Sequence, residues 1–151
     1  MELKTSFLLF LGNKDINQVY IGKDDYLFQK VSSSIFNDKQ FYKNLEYIDS
    51  FANHTQIPVS LMLVPSSYSI LKDKLPLYAL PINEVDLIQI MKENFKGLSF
   101  IDVSSILVEH QDETIYYKTD HHWTSLGAYY AYQAWQKQKG MDVSLDSYQI
   151  T

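Results

Sequence analysis

The sequence contains no cysteine, no cluster of basic residues and no long hydrophobic run near its N-terminus. The lack of cysteine excludes a disulfide framework, a thiolate metal site and a cysteine nucleophile, and it fits an exported protein as well as a cytosolic one. The lysines are scattered and the net charge is -5, so the chain has no electrostatic footprint for nucleic acid. The apolar run at residues 7–11 is too short for a membrane span or a signal-peptide core. We therefore expect no nucleic-acid partner, and any export signal or membrane anchor is expected to lie outside this chain.

The composition is that of a folded protein. Of the 151 residues, 46% are hydrophobic and 15% are aromatic, which is too apolar for a disordered chain. A chain of this length fits one domain and buries roughly 68–70% of the surface that its unfolded form exposes. We therefore expect residues 1–151 to belong to a single domain.

The N-terminal part predicts a β-hairpin followed by a helix. Two short β-rich runs, residues 19–21 and 26–28, flank the turn sequence Gly-Lys-Asp-Asp. Asp38 is a suitable N-cap for the helix, and the proline at position 58 predicts that it ends near Asn53. Its apolar residues recur at helical spacing: Phe41, Leu45, Ile48 and Ala52.

Two later runs of strand length alternate with helical segments. Residues 58–64 are apolar on both faces, which predicts a buried strand, and residues 98–103 form the second run. Between them, residues 66–80 predict a loop with at most a short helix. Strands that alternate with helices indicate an α/β fold with a parallel sheet. Two strands are too few to cover both helical layers, so further strands are expected in residues 1–18, in residues 141–151 or beyond this chain.

Two more helices are predicted around this sheet. Asn83 begins the first, and Gly97 lies where its C-cap is expected. Thr124 or Ser125 caps the second, which Gly140 closes. The predicted buried face of the first helix uses Val85, Ile88, Met91 and Phe95. The predicted buried face of the second uses Leu126, Tyr129, Tyr130 and Trp135.

The densest group of reactive side chains precedes the last helix, in the stretch Thr-Asp-His-His-Trp-Thr at residues 119–124. In an extended segment, residues i and i+2 point to the same side, so Asp120 and His122 are predicted to share a face and His121 to point away. A carboxylate beside an imidazole fixes its tautomer and stabilises the imidazolium. Asp120 would therefore orient His122, and His122 would act as a general base. Trp123 is placed either to shield the pair from water or to join the core.

Two other interpretations of this stretch stay open. An Asp–His pair can also serve only to tie a loop to the start of a helix. Alternatively, Asp120 and His122 could bind a metal together with His110, Glu109 or Glu113, although no recognised spacing such as His-Glu-x-x-His is present. We expect no metal and no cofactor.

Hydroxyl and aromatic side chains follow the first buried strand. Ser66 and Ser67 lie at its carboxyl end, where α/β sheets place ligand sites, so one of them could approach His122. No glycine provides a strained nucleophile turn there, and capping of a turn is the alternative role. Aromatic faces on which sugar rings could stack occur at Tyr68, Tyr116 and Tyr117. The candidate substrate-binding residues are therefore Ser66, Ser67, Tyr68 and Trp123.

Three blocks of the sequence resemble the DHHW proteins. Residues 119–124, followed by Gly127 and Ala128, match the motif after which that family is named. Residues 19–28 resemble its Gly-Lys-Asp-Gly-aromatic-Leu block, with Asp25 in place of the usual glycine, and Leu-Val-Pro at residues 63–65 matches its strand ending. The blocks come in the family's order and span about residues 11–139. The family is similar to the SGNH-hydrolase-like domain of alginate O-acetyltransferases.

The resemblance implies a fold and a function. The expected fold is an SGNH-hydrolase-like three-layer α/β fold with a parallel sheet, incomplete in this chain, plus an N-terminal β-hairpin. The expected function is that of an O-acyltransferase or esterase acting on cell-envelope polysaccharide or a small acyl ester, in an extracellular or envelope setting. Asp120 and His122 correspond to the acid and base of the Ser-His-Asp triad in the acetyltransferase relatives.

The nucleophile of that triad has no counterpart in this chain. In the relatives, the serine comes later, in a turn of small residues after another strand. The serines that follow the motif here, Ser125, Ser144 and Ser147, do not lie in such a turn. We therefore expect the chain to end before the nucleophile and to be inactive alone. The alternative is a non-catalytic module that binds carbohydrate or protein, and a metal-dependent hydrolase ranks third.

Overall fold

Short strands alternate with helices in the computed structural model, which describes residues 12, 15–16, 18–31 and 38–141. The strands are β1 (Asp15–Ile16), β2 (Val19–Ile21), β3 (Leu27–Gln29), β4 (Ser60–Leu63) and β5 (Ser99–Asp102). The helices are α1 (Asp38–His54), α2 (Ser67–Ile70), α3 (Glu84–Asn94), α4 (Ser104–Glu109) and α5 (Ser125–Gln138), with 3-10 turns at Lys23–Asp25 and Lys72–Lys74. The predicted α/β class is confirmed. Within the described residues, no helix combines the length and the apolar character that a membrane crossing requires.

The N-terminal strands form an antiparallel sheet in the order β1-β2-β3. Tyr20 of β2 lies opposite Phe28 of β3, and both side chains are buried. Because side chains alternate along a strand, the neighbouring pair Val19 and Gln29 faces the other side. The predicted hairpin is confirmed, with β1 as an additional strand.

The turn between β2 and β3 needs unusual backbone angles. Asp24 and Asp25 have φ values of 54° and 65°, in the left-handed region that aspartate tolerates better than most residues. Asp25 therefore adopts, at some strain, a conformation that glycine adopts without a steric penalty. Gly22 is required for another reason, because a Cβ there would lie 2.5 Å from both the Phe28 ring and the Lys74 carbonyl oxygen.

β4 and β5 form the predicted parallel sheet, with Ser60 opposite Ser99 and Leu63 opposite Asp102. The connection between them runs through α2 and α3, as a parallel pair requires. β4 is less buried than predicted, since Ser60 is exposed and the other three residues are half-buried. In the described part of the chain this sheet has two strands, so β4 has a neighbour on one edge only. β1 does lie in residues 1–18 but joins the other sheet, and residues 142–151 fall outside the described residues.

One hydrophobic cluster connects the two sheets to the last helix. It contains Phe28 of β3, Ile101 of β5, Leu107 of α4, Ala131 of α5 and the loop residue Ile115. All five side chains are at most 3% exposed. The hairpin and α5 are therefore fixed by the same buried contacts as the parallel sheet.

The helix boundaries follow the sequence patterns with one clear exception. Leu45 and Ala52 are buried, which confirms the apolar stripe of α1. α3 ends at Asn94 with Phe95 as its C-cap, so the predicted C-cap at Gly97 is wrong. A Cβ on Gly97 would meet the Asn53 side chain at 2.2 Å, so this glycine serves close packing against α1.

Two residues predicted to face the core are exposed instead. Val85 of α3 is 40% exposed and Leu126 of α5 is 36% exposed. The buried face of α5 runs through Gly127, Ala131 and Gln136. Small residues at the first two of these positions let the helix backbone approach its neighbours closely. Tyr130 and Trp135 of the predicted face are half-buried and pack against the hydrophobic cluster.

Candidate functional site

The Asp-His-His sequence lies in a bent loop of residues 118–122. Tyr116 and Trp123, on either side of this loop, pair as an antiparallel bridge. The amide of Tyr117 donates to the carbonyl of His122 at 3.1 Å. The loop therefore closes a narrow hairpin, and the strand alternation assumed for residues 120–122 is wrong.

Thr124 fixes the point where this loop passes into α5. Its side-chain oxygen accepts from the amide of Gly127 at 3.2 Å, so Thr124 is the N-cap. The same hydroxyl donates to the Thr114 carbonyl at 2.7 Å, and the Thr124 amide donates to the Ile115 carbonyl at 2.9 Å. The predicted cap at Thr124 or Ser125 is thereby confirmed for Thr124, which also ties the helix start to residues 114–115.

Asp120 holds His122 through one carboxylate oxygen. His122 Nδ1 lies 2.5 Å from Asp120 Oδ1, and the backbone amide of His122 donates to the same oxygen at 2.8 Å. The amide first, and then the imidazole, hold the pKa of the Asp120 carboxyl below its usual range. The predicted contact between Asp120 and His122 is thus present, and a turn of the loop creates it. In this arrangement Nε2 is the ring atom of His122 that faces away from the carboxylate and is available for proton transfer.

His121 belongs to the same group rather than pointing away. Its ring centroid lies 4.0 Å from that of His122, and its Nδ1 lies 3.7 Å from Asp120 Oδ1. The side chains of Asp120, His121 and His122 are 50%, 67% and 64% exposed. Trp123 packs against the hydrophobic cluster, which supports its assignment to the core. The expected shielding by Trp123 is therefore wrong, since the pair is open to solvent in the described structure.

The ligand atoms of Asp120, His121 and His122 lie within 4.8 Å of one another, close enough to contact one metal ion. All three residues are exposed, and exposed groups of this kind are common without a metal. Of the other ligands considered, His110 pairs instead with Glu113 at 2.7 Å. The geometry permits a metal, and the expectation of a metal-free site stays a prediction.

The predicted binding residues after β4 surround a carboxylate that sequence reasoning missed. Glu84, the first residue of α3, accepts four hydrogen bonds from the segment 66–69. The donors are the Ser66 amide (2.7 Å), the Ser66 hydroxyl (2.8 Å), the Tyr68 hydroxyl (2.6 Å) and the Ser69 hydroxyl (2.9 Å). Burial, and then the hydrogen bond to Glu84, raise the pKa of Tyr68. We call residues 66, 68, 69 and 84 the Glu84 cluster.

The Glu84 cluster gives the hydroxyls a structural role. Ser67 and Tyr68 are only 5% and 4% exposed, and the Ser66 proton is directed to Glu84. Among the described residues, no serine hydroxyl is hydrogen-bonded to His122. The structure therefore does not bring Ser66 or Ser67 into a hydrogen bond with the Asp–His pair. Ser66 is the N-cap residue of α2, but its side chain makes no capping hydrogen bond and donates to Glu84 instead, so the predicted turn-capping role of its hydroxyl is wrong.

Tyr116 connects the Glu84 cluster to the histidine loop. Its hydroxyl donates to the Pro65 carbonyl at 2.6 Å, directly before Ser66, while its backbone pairs with Trp123. Tyr116 is 1% exposed, and burial raises the pKa of its hydroxyl. Tyr68 and Tyr116 are thus packed side chains, and of the three predicted aromatic faces Tyr117, at 51% exposure, is accessible.

The predicted fold and family agree with comparisons to known proteins. The chain resembles a DHHW family protein from Eubacterium siraeum (TM-score 0.60, 23% identity, 85% of this chain and 46% of that one). It resembles the O-acetyltransferase domain of Pseudomonas putida AlgJ (TM-score 0.65, 18% identity, 83% and 50%). It also resembles Bacillus cereus PatB1 with a sulfonyl adduct (TM-score 0.62, 18% identity, 83% and 44%). These likenesses confirm the predicted SGNH-hydrolase-like α/β fold.

The chain spans half or less of the length of each of these structures. A comparison with curated proteins finds no match. The sequence model described as DHHW protein matches residues 16–151, which includes both the hairpin and the Asp-His-His loop. The chain therefore belongs to the DHHW family.

Proposed function

We propose that this chain carries the Asp–His half of the catalytic site of an SGNH-like O-acyltransferase or esterase that acts on cell-envelope carbohydrate. In this proposal, residues 1–151 form part of a single such domain in an extracellular or envelope setting. The observation that supports it most directly is the double hydrogen bond from His122 to Asp120. The likeness to an O-acetyltransferase domain supports the same reaction class.

The proposed reaction assigns one role to each residue. His122 Nε2 takes the proton of a serine hydroxyl as the serine oxygen attacks the acyl carbonyl carbon. The bond to the leaving oxygen then breaks, and His122 returns the proton to that oxygen. A second hydroxyl, of sugar or water, releases the acyl group from the serine in the same way. Asp120 stabilises the imidazolium, which the nearby N-terminus of α5 alone would disfavour.

The serine in this scheme lies outside the described residues. Ser66 is directed to Glu84, Ser67 is buried, and Ser125 is the first residue of α5. Ser144 and Ser147 fall outside the described residues. No serine of the described residues is hydrogen-bonded to His122, so in this proposal the pairing of Asp120 with His122 is completed by a serine outside them.

The orienting role of Asp120 predicts the tautomer of His122. In the neutral form of the ring, Nδ1 should carry the proton and Nε2 the free lone pair. We expect Asp120→Ala to shift the ring toward the Nε2-protonated form, because the acceptor at Nδ1 is removed. Long-range ¹H–¹⁵N correlation spectra report the two forms. Asp112→Ala, at an exposed position outside the loop, is the matched control. An unchanged tautomer in Asp120→Ala is the result that contradicts the orienting role.

Because no described serine is hydrogen-bonded to His122, we expect the 151-residue chain to be inactive as an esterase. We expect hydrolysis of p-nitrophenyl acetate no faster than with the His122→Ala variant, since a base without a nucleophile cannot form the acyl-enzyme. The measurement is release of nitrophenolate by both proteins under identical conditions. Turnover that His122→Ala abolishes would contradict the missing-nucleophile argument and return attention to Ser66 and Ser67.

A non-catalytic binding module is the second candidate, because His122 has no serine partner in the described structure and the loop is exposed. The two candidates differ in whether they need the negative charge of Asp120: proton transfer by His122 needs it, and glycan binding does not. Saturable glycan binding that survives Asp120→Asn, together with no activity in any longer form of the protein, would favour the binding module.

A further inference from the structure

A cleft of about 390 Å³ lies between the outer face of the hairpin and the histidine loop. Its lining residues are Val19, Leu27, Gln29, Thr119, Asp120 and His121. Small-ligand sites have volumes of about 300–1,000 Å³, so the cleft is large enough for a sugar residue. It adjoins the Asp–His pair through Asp120 itself.

The hairpin register explains which side chains reach this cleft. Val19 is paired with Gln29, one position away from the buried pair of Tyr20 and Phe28. Side chains alternate along strands, so Val19, Leu27 and Gln29 share the face opposite the core. This face is formed by the same block of sequence that marks the family, yet it contributes nothing to the hydrophobic cluster.

The two walls of the cleft are fixed relative to each other. The Leu27 amide of β3 donates to the Lys118 carbonyl at 2.7 Å, immediately before Thr119. The other end of the loop is held by the bridge between Tyr116 and Trp123. The hairpin therefore sets the position of Gln29 relative to His121 through backbone contacts.

The charge of the lining argues for a neutral ligand. Among the described lining residues, Asp120 is the one acidic side chain, and none is a lysine. The lysines adjacent to the lining in sequence, Lys30 and Lys118, lie over the rings of Tyr20 and Tyr26 at 5.4 and 5.7 Å. All 13 basic residues of the chain are lysines, so it offers no arginine fork for a sugar carboxylate.

We propose that this cleft binds the carbohydrate acceptor and selects a neutral sugar over an anionic polyuronate such as alginate. Gln29 and His121 donate and accept hydrogen bonds with sugar hydroxyls, while Val19 and Leu27 pack against the apolar face of the ring. The proposal rests on the proposed function, because it supplies that function with its substrate class. It assigns specificity to the hairpin and leaves proton transfer to His122.

The test is an NMR titration of the ¹⁵N-labelled 151-residue chain with two probes, tri-N-acetylchitotriose and trimannuronate. We expect the neutral trisaccharide to shift the amides of Leu27, Gln29, Thr119 and His121. Trimannuronate should bind at least about tenfold more weakly, because its carboxylates approach Asp120. Gln29→Ala should weaken binding of the neutral probe about fivefold. Gln89→Ala, at an exposed glutamine of α3 outside the cleft, should leave it unchanged.

A variant that adds a positive charge to the cleft tests directly whether charge determines the choice of sugar. Gln29→Lys places a cation in the cleft and is expected to strengthen trimannuronate binding. Equal or tighter binding of trimannuronate by the unmodified chain, shifts confined to other surfaces, or no binding of the neutral probe would each overturn the proposal. The His122 tautomer and the sugar titration separate the two proposals. An Nε2-protonated His122 with normal sugar binding contradicts only the catalytic role, and an Nδ1-protonated His122 without sugar binding contradicts only the cleft.

Discussion

Replacement of Glu84 by alanine is expected to lower the free energy of unfolding by about 3 kcal/mol or more. The carboxylate is the shared acceptor for one amide and three hydroxyls, two of which belong to side chains that are 4% exposed, Tyr68 and Ser69. Removal of the acceptor leaves these donors without a partner, and water has little access to the buried ones. For a chain of this size, the loss corresponds to a fall in Tm of roughly 6–12 °C.

Urea unfolding followed by circular dichroism measures this loss. Glu84→Gln should have an intermediate effect. The glutamine amide keeps one acceptor oxygen, but an NH₂ donor replaces the other carboxylate oxygen and faces the hydroxyls. Glu93→Ala is the matched control, since Glu93 lies on the same helix and accepts one exposed hydrogen bond from Gln89. That variant should remain within about 0.5 kcal/mol of the unmodified chain. Equal effects of Glu84→Ala and Glu93→Ala would show that the cluster contributes nothing to stability.

The Glu84 cluster also bears on catalysis. If Ser66 served as the nucleophile, its proton would have to pass to a base, and the carboxylate at 2.8 Å is the group that holds it. A structural role predicts that Ser66→Ala destabilises the fold and leaves ester hydrolysis at the same background level. The stability and the activity of one variant therefore separate the two roles.

The parts of the site that sequence predicted are those encoded by short-range patterns. Thr124 precedes a run of helical residues, and it caps α5 as expected. The Gly-Lys-Asp-Asp turn between two β-rich runs gave the hairpin of β2 and β3. The sequence correctly predicts that Asp120 contacts His122, but the extended conformation from which we predicted it is wrong. A strand would have separated His121 from them, whereas the bent loop gathers all three residues.

The parts that sequence missed depend on contacts between distant segments. Glu84 meets Ser66, Tyr68 and Ser69 across 15 to 18 positions, so only the approach of the start of α3 to the short helix α2 creates the cluster. An acidic residue in the first turn of a helix is common, because the helix dipole favours it. That position alone gave no sign that the carboxylate would bind three hydroxyls. The buried face of α5 was predicted only in part. Tyr130 and Trp135 pack against the hydrophobic cluster as expected, but Gly127 and Ala131 were missed, since close approach selects them over larger residues.

Gly127→Ala is expected to destabilise the protein by about 2 kcal/mol, although glycine-to-alanine changes inside helices usually stabilise. A Cβ at this position would lie 2.4 Å from the Ile115 carbonyl oxygen and 3.2 Å from the Trp123 Cβ. The first contact is with backbone, so no side-chain rotation relieves it. That same carbonyl accepts the amide of Thr124, and α5 must therefore move away from the residue that anchors its own start. The steric term of about 3 kcal/mol outweighs the gain of about 1 kcal/mol in helix propensity.

The displacement should reach His122, which makes Gly127→Ala more than a test of packing. A shift of the helix start loosens the bridge between Tyr116 and Trp123, so the amide of His122 and its contact with Asp120 should change in NMR spectra. Gly140→Ala is the control: its φ of 72° imposes backbone strain, but no atom lies within 4 Å of the added Cβ. It should lose about 1 kcal/mol of stability and leave His122 unaffected. A stabilised Gly127→Ala protein with an unchanged His122 environment would mean that the close approach of α5 does not hold the Asp–His pair in place.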